Sequence, residues 1–550
     1  MIHPNINRRV FRLMASSLAA ICCLSCVNVN KELGEDYIAA NQKFDIYTCD
    51  IDIDDIEMRQ ADSLSGLSLY RLTFGAVRDE LFGLTTRATA FTLVPLMDTL
   101  DFGLPGTQVF REFHFTAVSD SISTADPSQA NILQKVNVYE LDKPIDLTSN
   151  KQDVSYIKKR ITDGIPIYNG VDSLSFNFSK EFGEKFFGIT QHDLDTITNY
   201  VKKFPGIYIS TDEPTGNGGR INMFRLPIDV QDGYIYGSTA TLKFSAQYKD
   251  KGLVDTSFVF YLGPTQIYDM ADVTDTSPTN YPQLALDITT HESKSMEGKA
   301  GENIYFEGGK GLKPVIKANS LRKKIIEEIS KHGDPNSIIV SKATITMPFD
   351  FPEDYTLMDQ YPRIISPTTR IVADDKTVTF AGITDASIST ENQGEINRSL
   401  GVYAPDISHH VQEMVKLKNL DKIDNYDVWF LATREEVITQ SNSNSSNSNM
   451  SDFYNQMAYA SYYNDMYGYG GYGGYGYGGY GYGGYGGYGG YSNYYSYMML
   501  AQMYSSANSG TQQTTQTLMD FHRFYKGVLK GPASSGDKPK LSLTYAVPAE

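Results

Sequence analysis

Acidic side chains dominate the polar residues of this chain, 65 of them against 48 Lys and Arg, and one stretch has a spacing that could hold a cation. Asp52, Asp54, Asp55 and Glu57 alternate with Ile51, Ile53 and Ile56. On a strand, Asp52 and Asp54 share one face and present the oxygen ligands that calcium takes. The same alternation also describes a solvated strand face, and neither EF-hand spacing nor a turn glycine accompanies it. His409 and His410 are adjacent, so on a helix they point about 100° apart and do not chelate one metal as an i, i+4 pair does. Gly308-Gly309-Lys310-Gly311 lacks phosphate-loop spacing and reads as a tight turn. Ser63-Leu64-Ser65-Gly66 lacks the leading glycine of a nucleophile elbow, and no H-E-x-x-H occurs. A glycosidase carboxylate pair, roughly 5–10 Å apart, is set by tertiary structure and leaves no sequence signature.

The amino terminus carries a different chemistry. Arg8, Arg9 and Arg12 precede the apolar stretch Leu13–Leu24, with no acid before Glu32. This stretch of twelve residues is too short to span a bilayer, which takes roughly 20 apolar ones, and suits an export signal. The stretch ends in Cys23-Leu24-Ser25-Cys26, which resembles a bacterial lipobox with cysteine in place of the usual leucine. Cys26 is the expected lipidation site. The four cysteines are Cys22, Cys23, Cys26 and Cys49, so with Cys26 lipidated after cleavage only Cys49 remains free. A disulfide framework and a cysteine zinc site are thereby excluded. Removing residues 1–25 takes three arginines and no acid from a net charge of −17, leaving −20. That balance argues against nucleic acid as a partner and for attachment to a membrane through lipid rather than charge.

The elements that would position any site are mostly strands. From Phe44 onward, short alternating runs are broken by Gly, Pro, Asn and Asp, the signature of antiparallel sheets. Strands are expected at Ser68–Phe74, Ala88–Pro95, Val109–Val118, Val136–Leu141, Gly206–Ser210, Thr239–Tyr248 and Asp255–Leu262, with one helix near Gln191–Lys203. A second series follows a Pro- and Thr-rich stretch: Leu284–Thr289, Asn303–Glu307, Leu312–Ala318, Ile338–Pro348, Arg363–Ser366, Val378–Phe380, Val428–Ala432 and Lys540–Ala546. Helical spacing interrupts it at Ser320–Lys331 and Asp406–Leu417. The expectation is a mainly β chain of two β-sandwich-like domains with a few short helices: signal 1–25, tether 26–44, N-terminal domain 45–268, linker 269–283 and C-terminal domain 284–550. A low-complexity insertion occupies 440–515. Within it, Tyr467–Tyr491 holds 25 residues, ten Tyr and fifteen Gly. Such a tract builds no core of its own and reads as a disordered loop, but its rings can stack on sugars, arginines or other tyrosines. Tyr467, Tyr472, Tyr480 and Tyr488 are the candidate contact residues.

Several elements resemble one family. Asp79-Glu80-Leu81-Phe82-Gly83 before a strand, Phe204-Pro205-Gly206-Ile207-Tyr208-Ile209, Tyr305–Lys313 followed by Ile339–Pro348, and the ending Pro539-Lys540-Leu541-Ser542-Leu543-Thr544-Tyr545 are similar to a Bacteroidota cell-envelope lipoprotein family catalogued only as a domain of unknown function. The resemblance implies a β-rich, lipid-anchored envelope protein and transfers no catalytic residue. Asp followed by Ser or Thr and an aliphatic residue, at Asp62, Asp98, Asp120, Asp172 and Asp195, resembles the O-glycan acceptor of exported Bacteroidota proteins.

The expected function is that of an outer-membrane lipoprotein without catalytic activity or cofactor. It would serve as an accessory subunit beside an outer-membrane barrel protein or as a glycan-contacting module, with the cell surface favoured over the periplasmic face. The alternative is a polysaccharide hydrolase using a carboxylate pair.

Overall fold

The computed structural model describes residues 43–61, 63–68, 71–97, 99–146, 152–226, 228–231, 234–263, 283–372, 378–387, 392–440, 512–520 and 522–549. The fold is mainly β, with short helices between sheets.

One body forms around the strand Gly83–Pro95, which pairs in turn with Arg71–Asp79, Ala285–His291, Ile207–Thr211 and Gly252–Gly263. Its run Ala88–Pro95 is buried residue after residue, as expected of a strand covered on both faces. It links the fourteen strands of the largest sheet. Beneath it lies a phenylalanine core. The Phe113 ring sits 4.9 Å from Phe178, 5.0 Å from Phe186 and 5.5 Å from Phe260. The helix expected over Gln191–Lys203 forms as two, Gln191–Leu194 and Ile197–Lys203. Thr196 is extended and its hydroxyl accepts from the Asn199 amide, so a local N-cap ends one helix and starts the next.

The second body is built from both ends of the chain. Phe44–Asp52 pairs along its length with the closing strand Lys540–Pro548, which also pairs with Ile339–Pro348. Ile56–Gln60 pairs with Leu312–Ile316 in a seven-stranded sheet that includes Val428–Gln440 and Ile364–Val372. Between the two sheets Ile51, Ile345, Leu541 and Leu543 meet Ile316, Ile365 and Phe430, together with Leu321 and Ile325 of the helix Ala318–Ile329 and Val411 of the helix Ser408–Lys416. Strand pairing therefore crosses the boundaries drawn from composition. Residues 44–60 join the C-terminal sheets, and Ala285–His291 joins the N-terminal one. Strand alternation specifies a face but not a partner, so a terminal strand carries no local signal for the sheet it enters. Most of the expected linker, residues 264–282, lies outside the described residues.

Candidate functional site

The insertion is mounted on an arm. Val428–Gln440 and Gln512–Met519 pair antiparallel from Thr433 opposite Met519 to Gln440 opposite Gln512. The chain thus departs and returns at one hairpin tip, about 20 Å beyond Arg434 at the usual rise per strand residue. Tyr467, Tyr472, Tyr480 and Tyr488, placed by sequence in the insertion, lie outside the described residues, as does Cys26. At its base the arm is gripped by apolar packing: Trp429, Leu431 and Met519 are buried with Ala61, Leu64, Val315 and Phe380. The Trp429 indole meets the Phe380 ring edge-on at 5.3 Å.

Immediately after the arm the chain enters a buried polar junction. The fully enclosed Asp520 carboxylate accepts from Tyr525 Oη at 2.8 Å and from the His522 and Arg523 amides at 3.2 and 3.3 Å. Arg523 Nε stands 3.8 Å away and Arg434 Nε of the arm itself 4.0 Å. His522 Nδ1 lies 3.3 Å from Asp287 Oδ2 on the other body, and the second Asp287 oxygen accepts from the Thr73 amide at 3.1 Å. Lys526 pairs with Asp79. Arg87 donates to Thr289 Oγ1 and, at 3.5 Å, to the Arg523 carbonyl. The arm's root, the sheet of the first body and the strand Lys526–Lys530 are thereby tied into one network.

A second layer lies beside the first. His291 Nδ1 is 3.2 Å from Glu307 Oε1, and the Glu307 carboxylate also accepts from Ser293 Oγ and from the Leu312 amide at 3.1 Å. Lys313 Nζ donates to the carbonyls of Glu307 and Gly311 at 2.5 and 3.0 Å. Between these two residues runs the glycine turn, closed by the Gly311 amide donating to Gly308 O at 3.1 Å. Gly309 adopts φ +55°, and a Cβ there would stand 2.8 Å from an Arg87 guanidinium nitrogen. The turn needs glycine for conformation and for clearance alike.

Burial sets the charge states. It lowers Lys313 to about 7 and Arg87 to about 10, against the opposing pull of neighbouring carboxylates. It lowers His291 as well, so the imidazole is neutral at neutral pH. Burial pushes Glu307 up, but His291, Ser293 and the Leu312 amide outweigh it and hold the carboxyl below its ordinary value. Burial raises Tyr525 beside Asp520, which keeps its hydroxyl a donor. The sign of the stability effect follows. Depressed bases favour folding most where they are neutral, so the Lys313 contribution is full above 10.5 and is lost as pH falls through about 7. The His291 contribution is lost as pH falls from 6.5 toward its lowered value. The denaturant midpoint is expected to rise from pH 6 to pH 9, and Lys313→Met should flatten that rise between pH 7 and 9. An unchanged slope in the variant would remove Lys313 as its source.

Ser293, Glu307 and His291 are the residue types of a hydrolytic triad in the wrong order. The serine donates to the carboxylate rather than to the imidazole, whereas nucleophile activation needs the base on the hydroxyl. All three are buried, with 1–4 % of the His291 and Glu307 side chains exposed. Two shallow surface dents contain carboxylates. One, about 170 Å³, is lined by Asp52, Asp54, Asp55, Lys317 and Lys324. Its acids meet lysines: Asp54 pairs with Lys324, and Asp55 with Lys299 at 3.4 Å. The other, about 240 Å³, holds Glu140 as its carboxylate among Phe182, Phe186 and Phe204, and Lys185 Nζ engages that oxygen at 2.5 Å. His410 is buried and its Nε2 donates to the Tyr426 carbonyl at 2.9 Å, while His409 faces out toward Glu413. The amides of both histidines are capped by Asp385. Among the described residues no group of three metal-ligating side chains forms.

Of the tripeptides resembling glycan acceptors, Ser121 Oγ is engaged by Asp120 and Met223 and Thr196 Oγ1 caps a helix, whereas Thr99 and Ser173 are exposed and Ser63 is half-buried. Comparison of the chain with family models, curated proteins and solved structures returns no match.

Proposed function

We propose that this chain is a lipid-anchored protein of the bacterial outer membrane that acts by binding, with the arm-borne insertion as its contact element. The observation that carries this reading is the pairing of Gln440 with Gln512 at the tip of an arm whose root is buried in both apolar and polar packing. In sequence, the tyrosine- and glycine-rich tract lies between the two paired strands of a rooted hairpin. The lipobox-like sequence at Cys26 supports membrane attachment, and the resemblance of several strands to envelope lipoproteins supports the compartment. Tyrosine rings can stack on sugar rings or on an apolar protein face, at low entropic cost per ring.

Deletion of Tyr467–Tyr491 tests the reading. The variant should keep the thermal midpoint of the parent, because the tract lies beyond the paired strands, and should lose the partner recovered by mild-detergent isolation from outer membranes, or the glycan retained on an array. Full retention of both by the deleted protein would contradict a contact role for the tract.

A further inference from the structure

The sheet formed by Phe44–Asp52, Lys540–Pro548 and Ile339–Pro348 turns one face outward, and its composition is sorted along its length. Cross-strand partners share a face, so the register places Asp52, Lys540 and Thr346 in one row, Asp50, Ser542 and Thr344 in the next, and Thr48, Thr544 and Lys342 in a third. The last row changes character: Ile46 and Ile339 flank Ala546, with Phe44 two residues farther on the same face. These are 71 %, 49 % and 43 % exposed for Ile46, Ile339 and Phe44. Three large apolar side chains thus stand together at the end of an otherwise polar face.

That end is where the chain enters the fold. Sixteen residues, 27–42, separate Cys26 from Lys43, and no conformation of that segment spans more than about 60 Å. We infer that the row Phe44, Ile46 and Ile339 is a membrane-contact surface that seats the body on the lipid bilayer to which Cys26 is attached. The inference rests on the anchoring proposed above. A tether this short holds the row at high effective concentration over the bilayer, so a small apolar contact is enough to orient the protein. Lys342 lies in the adjoining row, with its Nζ 3.6 Å from Asp406 Oδ2. The polar rows then rise away from the surface, and the body stands on one end of this sheet.

Nitroxide-lipid quenching reads the orientation. The full lipoprotein, with Cys49→Ser to leave one reactive thiol, is labelled at Ile339→Cys or at Leu253→Cys, an exposed position on the other body. It is then reconstituted in phosphatidylethanolamine–phosphatidylglycerol vesicles carrying headgroup nitroxide. The label at 339 should be quenched several-fold more than the label at 253. Equal quenching at both sites, with diacylglycerol present on Cys26 by mass spectrometry, overturns the surface while leaving the anchor intact. A Cys26 without lipid removes the anchor and with it the membrane as occupant. Shielding of the 339 label that grows with protein density and ignores the nitroxide would assign the row to a second copy of this chain and overturn the inference too.

Discussion

Asp520→Ala should cost about 3–5 kcal/mol of unfolding free energy, the range for stripping one partner from a buried charged network. The hydroxyl of Tyr525 and the amides of His522 and Arg523 all donate to this carboxylate. Its removal leaves those donors enclosed, and Arg434 loses a countercharge 4.0 Å away. Part of the loss is local: amides of the arm on either side of the root should exchange faster than those of Lys540–Pro548, which the change does not touch. Asp520→Asn keeps an oxygen for Tyr525 and should cost less. If the alanine variant unfolds within about 0.5 kcal/mol of the parent, the range of an ordinary surface change, the junction does not hold the arm.

Arg220→Met should be comparably damaging in the other body. This side chain is completely enclosed. Its Nη1 donates to the carbonyls of Ala130, Ile132 and Asn169 at 2.6, 2.9 and 3.1 Å, Nη2 to Tyr168 O at 3.2 Å and Nε to Asn222 Oδ1 at 2.6 Å. Methionine fills a similar volume but leaves four carbonyls without donors. Each such loss costs about 1–3 kcal/mol where water does not reach; three of these four bonds are only part-buried, so the expected total is on the order of 4 kcal/mol rather than the sum of the upper values. Arg220→Lys should not rescue, because one ammonium cannot address this fork of acceptors. Urea midpoints of the three proteins settle the order: a lysine variant as stable as the parent would show that the guanidinium geometry is not what the loops require.

The strands were readable because alternation is local. Thr239–Tyr248 and Asn303–Glu307 fall where the pattern puts them, and the stripe Leu321, Ile325, Ile329 is the buried face of its helix. The junction was not readable, for the same physical reason. Asp287 and Thr289 alternate with Leu286 and Ile288 as a solvated strand face does; only the approach of Glu307, Lys313 and His522 from elsewhere in the sequence turns that face, with His291, inward. Arg220 sits in a run, Gly218–Arg225, whose alternation gives no hint that its cation is enclosed. The helix caps show the same limit: Asp406 serves Ser408 as its position suggests, but Asp385 and Asp427 cap helices far from them in sequence. Of the candidate site, the sequence identifies the insertion by composition alone, and the arm that carries it appears only when Gln440 and Gln512 are paired.

Protease shaving of intact cells, with cut sites mapped by mass spectrometry, tests the display of the insertion most directly. Cuts should fall within residues 441–511, and the two fragments should remain associated, because Lys526–Lys530 stays paired with Asn303–Glu307 and the closing strand with Phe44–Asp52 and Ile339–Pro348. Cuts spread through the sheets, or an insertion left whole both on intact cells and after the cells are opened, would contradict the proposed contact role of the insertion.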